Sequence, residues 1–392
     1  MSDQDTRLNK FSELRSMVKN YIDSYNALYQ LKTENEEEIN KIYKMIKTEL
    51  IDSKKRLPHT IISDILSIIP FKNRYTKAYF SLAKLIYDNY QINEKIKVQL
   101  SVGYLFYKEY GIKLNKSDNF EKIKSENIDI HTEDTIYRAI MHNDLERFIA
   151  FTEREGFDKD QKLESSLYPF SGNGYSLLEL CCYHGAVDCF KLLRTKFQSY
   201  VSYTCLNLSF LGGNQEIMSE CLKYMEPYWG CMEYAIISHN IDFVTFLMNE
   251  YQIKIDLFYC AKHNNHEAFL VYFDQTNDIN KCFLYSARLN IPSLLEYFLS
   301  HGANINEKDN DRKTALHYAA FNNNKETAEL LISHGININE KDKNGETALH
   351  YVAFNNNKET AELLISHSIN INEKDKNGET ALHSAALKIV NK

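Results

Sequence analysis

No stretch of this 392-residue chain approaches the ~20 consecutive apolar residues that a membrane helix needs, so insertion into a membrane is not expected. Charge of one sign is also missing. The formal charge of −7 comes from interspersed basic and acidic residues, which leaves no concentrated field to hold a polyanion. There is no CxxC pair: Cys181, Cys182, Cys189, Cys205, Cys221, Cys231, Cys260 and Cys282 all fall between 181 and 282. The opening MSDQDTRLNKF has no apolar run, which argues against a secretory signal and for reduced thiols in an intracellular, cytoplasmic setting. In such a setting the acceptor patterns Asn115-Lys116-Ser117 and Asn207-Leu208-Ser209 carry no meaning. Finally, Gly172, Gly174, Gly212 and Gly213 lack the fixed spacing and the accompanying Lys of a phosphate-cradling loop.

What is present is a repeat. With 44% apolar and 25% charged residues the chain can bury a large apolar surface, as separate domains or as one elongated array. The string TALH occurs at 314–317, 347–350 and 380–383, a period of 33 residues. A period of that size points to a solenoid of supersecondary units, none of which can bury its apolar face alone. Within one unit, Asp342-Lys343-Asn344-Gly345 supplies a turn, because Asn and Gly tolerate positive φ. Ala348, Leu349, Val352 and Ala353 then share one face of a short first helix. Asn355-Asn356-Asn357 breaks it and can cap the next helix, and Ala361, Leu364 and Ile365 form the inner stripe of a second one. Each unit is thus a hairpin-like turn followed by two antiparallel helices.

Thr347-Ala348-Leu349-His350, then Ala353, then Glu362-Leu363-Leu364-Ile365 resembles the ankyrin repeat, whose pattern is T-P-L-H, A-A and a leucine-rich second helix. Residues 314–317 with Ala319-Ala320 and Leu330-Leu331-Ile332 match it equally, and 380–386 match its first helix. Three departures are visible. Ala replaces the helix-opening Pro, Ser368 stands where the preceding copy has Gly335, and the last copy stops at Lys392 before a second helix. Ala suits a first helical turn. Ser368 carries a Cβ into a left-handed terminus that favours Gly. Leu387, Ile389 and Val390 are expected to fold back over the open apolar side of the preceding unit.

Looser helix pairs continue upstream. Segments 135–151, 176–193, 205–225, 233–250, 258–274 and 284–302 each read as short helix, break and second helix, and the break residues Asn240, Asn264, Asn290 and Asn323 are 24, 26 and 33 residues apart. The shorter periods leave little room for a hairpin finger. Residues 1–130 differ: Phe11, Leu14, Val18, Tyr21, Ile22, Tyr25 and Leu28 predict an amphipathic helix over 9–31, Ile39, Tyr43, Ile46 and Leu50 a second, and further helices are expected over 60–69, 76–90 and 96–109. Pro58 and Pro70 fall near helix boundaries. The expected fold is all-α, an ankyrin-like helical solenoid with an amino-terminal helical region. Its divisions are 1–130, degenerate helix pairs over 131–302, and ankyrin repeats over 303–392 with the last copy truncated. As a whole the arrangement resembles the large ankyrin-protein families of unicellular eukaryotes such as trichomonads.

The histidines invite a metal reading. His317, His350 and His383 recur every 33 residues, but stacked helices stand about 10 Å apart, whereas zinc needs each nitrogen within about 2 Å. The resemblance implies instead that His350 joins Thr347 in a local hydrogen-bond network. His301, His334 and His367 end second helices, where they can meet unpaired carbonyls. Cys181, Cys182 and Cys189 near His184 and Asp188 suggest a ligand cluster or nucleophile, but Cys181 occupies a repeat position that is apolar elsewhere, and buried Cys behaves as a small hydrophobe. The 27 tyrosines and 21 phenylalanines mostly sit at helical spacing, and the strongest basic run, Lys54-Lys55-Arg56, is flanked by Asp52, so nucleic acid is not expected.

What is left is a surface. The turn tips and outward sides of the first helices are chemically free, and stacked units give an extended concave face. The candidate partner-binding residues are Arg312, Lys313, Tyr318, Lys343, Tyr351 and Lys376, with Phe321 and Phe354 as further anchors where they face outward. The reading is a non-enzymatic protein–protein interaction scaffold without cofactor or metal; its alternative is a structural or self-associating array.

Overall fold

The computed structural model describes residues 3–123, 128, 130, 132, 134–169 and 172–390. It is a helical repeat fold, and among the described residues a single ribbon pairs β1 (Lys162–Leu163) antiparallel with β2 (Tyr175–Ser176), Leu163 opposite Tyr175. Two compact units are present: Asn20–Ile255, and Asp256–Lys392 together with Met1–Lys19.

In the first of these units α1 (Asp3–Tyr29) contributes Tyr21, Ile22, Tyr25 and Leu28, all buried, at the three- and four-residue spacing that makes one apolar stripe. The Tyr25 hydroxyl donates to Asp64 Oδ2 at 2.6 Å, fixing α1 against α3 (Pro58–Ser67). Asn35 caps α2 (Glu36–Ile46) by accepting from the Glu37 and Glu38 amides, beside three acidic residues that favour a helix start. The helix continues as a π-helical turn over Lys47–Asp52 and buries Leu50 and Ile51 there. Pro58 opens α3 at a position where no amide donor is lost, and α4 (Thr76–Tyr90) and α5 (Leu100–Tyr110) complete the amino-terminal set. Four helix pairs follow: α6 (Ile136–Met141) and α7 (Leu145–Thr152), α8 (Leu177–His184) and α9 (Val187–Thr195), α10 (Tyr203–Gly212) and α11 (Gln215–Leu222), α12 (Trp229–Ser238) and α13 (Ile241–Tyr251). First helices pack in the order α6, α8, α10, α12. All eight cysteines are free and buried. Burial pushes the Cys181, Cys182 and Cys260 thiols well up, consistent with packing residues.

The other unit holds α14 (Leu257–Lys262) and α15 (His266–Thr276), α16 (Ile279–Leu289) and α17 (Pro292–Ser300), α18 (Ala315–Phe321) and α19 (Lys325–Ser333), α20 (Ala348–Asn355) and α21 (Lys358–Ser366), and α22 (Ala381–Val390). Arg15 meets Glu267 of α15 at 2.6 Å. Connections tell the fingered copies from the others. Only residues 277–278 separate α15 from α16, whereas 301–314 separate α17 from α18. No strand occurs among the described residues of 231–300, where the sequence predicts helix pairs.

Two details of the repeat depart from expectation. Asn324 and Asn357 precede α19 and α21 without capping them; their side-chain amides donate backward to the carbonyls of Ala287 (3.1 Å) and Ala320 (2.8 Å) in the preceding first helix. The inner stripe of α21 is Thr360, Leu363 and Leu364, while Ile365 is 54% exposed. Its counterpart Ile332 is half-buried because α21 packs beside α19, and among the described residues no second helix packs on the far side of α21. The expected return of Leu387, Ile389 and Val390 lies outside the described side chains, since only the helical backbone of α22 is described there.

Ser368 adopts φ +61°, at the place where Gly302 and Gly335 have +91° and +82°. A Cβ in the left-handed region costs about 1–2 kcal/mol. Ser368→Gly is therefore expected to raise stability by about 1 kcal/mol in urea denaturation; an unchanged or lowered midpoint would remove the strain argument.

Candidate partner-binding surface

Each finger is built around one aspartate. Asp309 Oδ1 accepts the Asp311 and Lys313 amides, Asp342 Oδ1 those of Asn344 and Glu346, and Asp375 Oδ1 those of Asn377 and Glu379, all at 2.8–2.9 Å. This is the Asx geometry that lets a short side chain replace a backbone turn. In the first two fingers the second carboxylate oxygen is taken as well: the hydroxyl of Tyr318 donates to Asp309 Oδ2 at 2.5 Å, and that of Tyr351 to Asp342 Oδ2 at 2.8 Å. Position 384 is Ser, so the third finger has no such prop.

Neighbouring fingers are joined in register. The Lys343 amide donates to the Asp311 carbonyl at 2.7 Å and the Lys376 amide to that of Asn344 at 2.8 Å. Asn306 Oδ1 accepts from the Asn337 amide and Asn339 Oδ1 from that of Asn370. Lys308 pairs with Glu340 and Lys341 with Glu373 at 2.8 and 2.7 Å. Gly345 permits this approach, because a Cβ there would stand 3.0 Å from the Lys376 nitrogen.

Below the fingers the TALH histidines do more than close a local bond. His317 Nδ1 accepts the Thr314 amide (3.1 Å) and meets its hydroxyl (2.9 Å), which leaves the ring proton on Nε2 to donate to the Glu346 carbonyl of the next repeat at 3.1 Å. His350 repeats the set toward Glu379, with Nε2 at 3.2 Å. Desolvation holds His317 below its ordinary pKa, in keeping with a neutral ring. The second histidine series caps helices as the sequence indicates: Nδ1 of His301, His334 and His367 reaches the carbonyl four residues back at 2.7, 2.9 and 3.0 Å. Among the described residues no three His, Cys, Asp or Glu side chains come together as a metal site.

With these groups engaged, Arg312, Lys343 and Lys376 are exposed at equivalent finger tips; Lys374 beside the third tip and Lys325 and Lys358 at the starts of α19 and α21 are exposed as well. Lys343 lies 3.9 Å from Asp311, with both side chains mostly in water, so the pair contributes little. Arg312 takes φ +61° where the next two fingers have Gly345 and Gly378. The half-buried Lys313 sits over the Tyr351 ring at 5.3 Å. Tyr318 is only 7% exposed and Tyr351 half-buried, both turned toward their finger aspartates. Phe321 and Phe354 are the rings that face outward.

Residues 257–342 and 336–391 each match the model for ankyrin repeats. This stretch carries ankyrin repeats. Such repeats generally mediate protein–protein interaction. Residues 197–272 match a family described as Domain of unknown function (DUF3447). No curated protein matches the chain. Among the described residues no helix is long and apolar enough to cross a membrane. Outside the fingered repeats, the sequence reading passed over Tyr200, Tyr203, Tyr224 and Trp229, which are exposed in the Asn20–Ile255 unit. The signal was available: Tyr203 and Trp229 occupy the first position of a first helix, where the fingered copies place Ala315 and Ala348.

Proposed function

We propose that this chain is a non-enzymatic scaffold that binds a protein partner along the finger edge of its ankyrin repeats. In this reading residues 1–130 are a helical support, 131–302 are fingerless pairs and 303–392 carry the fingers. The observation that carries the proposal is the division of labour within each finger. Asp309, Asp342, Tyr318, Tyr351, His317 and His350 are occupied in holding the array, while Arg312, Lys343 and Lys376 stand exposed at successive, hydrogen-bonded tips. A row of cations with the outward rings of Phe321 and Phe354 beside it combines steering charge with apolar contact area. The whole-chain resemblance to ankyrin-protein families of unicellular eukaryotes agrees with a binding role.

The test is affinity capture from the native cell lysate with the intact chain and with Arg312→Ala, Lys343→Ala and Lys376→Ala combined. The triple variant should retain the helical spectrum and melting transition while its affinity for the captured protein falls by about tenfold or more. Full affinity after these changes, with binding abolished by deleting residues 1–130, would move the site to the amino-terminal helices. Self-association is the second reading, favoured by the exposure of Ile365, Ile371 and Leu382 in the last repeats; sedimentation that shifts with protein concentration would select it.

A further inference from the structure

The three first helices α8, α10 and α12 contain no Lys or Arg, and we propose that their shared face in the Asn20–Ile255 unit is a second docking surface, for an arginine- or lysine-rich segment of a protein partner. The inference rests on the reading of the chain as an interaction scaffold but uses residues far in sequence from the fingers. Its centre is a fixed set of rings. Trp229, the single tryptophan of the chain, is 70% exposed, and Tyr203 on the neighbouring helix is 55% exposed. Between them stands Tyr228, its ring centroid 5.5 Å from Tyr203 and 5.6 Å from Trp229, edge-on to both.

That middle ring is built in. Its hydroxyl accepts from the Asn207 side-chain amide at 2.7 Å, and the Asn207 oxygen in turn takes the Cys231 thiol at 3.2 Å. Gly230 makes room for it, because a Cβ there would lie 2.7 Å from the Tyr228 ring. A rigid platform loses little entropy when a ligand lands on it. Aromatic faces also attract desolvated cations, guanidinium above all.

Acidic side chains stand close to the platform. Glu226 is exposed two residues before Tyr228, Glu233 follows Trp229 by one helical turn, and the half-buried Glu179 carboxylate accepts at 2.6 Å from the Oγ of Ser202, the residue that precedes Tyr203. The neighbouring basic side chains lie against carboxylates: Lys191 is 2.6 Å from Glu216, and Arg194 and Lys223, the latter in the loop before α12, share Glu220 at 3.8 and 2.7 Å. Basic polypeptide is therefore the complementary occupant, whereas nucleic acid and anionic lipid would be repelled.

Trp229 supplies its own probe. The full chain is titrated with a nona-arginine peptide at about 50 mM salt, following tryptophan emission alongside the anisotropy of the fluorescein-labelled peptide. Emission should change in step with anisotropy, and a nona-glutamate peptide should leave both unmoved. Glu226→Gln and the Glu226→Gln/Glu233→Gln pair should weaken binding by about threefold and about tenfold, and Tyr203→Ala by about fivefold. Glu36→Gln/Glu37→Gln makes the same change in net charge at exposed sites on α2 and should stay within about twofold. Equal weakening by the two acidic pairs, anisotropy without any change in tryptophan emission, or no binding would overturn the proposal. The Arg312/Lys343/Lys376 triple variant should bind this peptide like the parent chain, so either surface can fail while the other stands.

Discussion

Gly212→Ala is expected to lower the stability of the Asn20–Ile255 unit by about 3 kcal/mol or more. Gly212 ends α10 where that helix meets the end of α8, and a Cβ on it would stand 2.1 Å from the Cys182 carbonyl oxygen, with the Gly185 nitrogen and the Tyr183 carbonyl at 3.0 Å. All three obstacles are backbone, so no side chain can rotate away and the two helices must separate. Cys182, Cys205, Leu206 and Phe210 are buried on these helices, and separating them opens the core. Gly213→Ala is the internal control. Nothing lies within 4 Å of its added Cβ, and only its φ of +74° is strained, which costs about 1–2 kcal/mol. Urea denaturation followed by circular dichroism should rank the two variants in that order; similar midpoints for both would show that the α8–α10 approach is not as tight as described.

The second large effect concerns a histidine and its twin. His350→Ala should destabilise the array by about 2–4 kcal/mol, because it orphans the buried Thr347 amide and removes the bond to the Glu379 carbonyl of the next repeat. His383 has the same TALH sequence but is exposed, with Thr380 as its only hydrogen-bonded partner among the described residues. His383→Ala should therefore cost less than about 1 kcal/mol. Thermal and urea melts of both variants check the ratio. Equal losses would mean that the local turn bond carries the stability and the inter-repeat bond does not.

Those twins also show what a sequence can carry. The 33-residue period, the turn at Asp342–Gly345 and the helix-ending role of His301, His334 and His367 are local facts, set by φ tolerance and by groups within four residues of one another. They were legible, as was the stripe of α1. The far half of each histidine bond was not, because His317 to Glu346 spans 29 residues and depends on how closely two repeats stack. The same limit hid the backward reach of Asn357 to Ala320 and the exposure of Ile365. Aromatic residues were hardest to place. Tyr318 and Trp229 both sit in first helices, yet one is held beneath a finger by Asp309 and the other stands in solvent, a difference decided by which turn of the helix each occupies.

The central claim is that a protein partner lies along the finger edge of the ankyrin repeats, and amide hydrogen exchange of the intact chain, with and without its captured partner, tests it most directly. Added protection is predicted in peptides covering 304–313, 337–346 and 370–379, rising together because the Lys343 and Lys376 amides link the tips into one edge. Protection confined to residues 36–110, with the three finger peptides exchanging as fast as in the free chain, would contradict it.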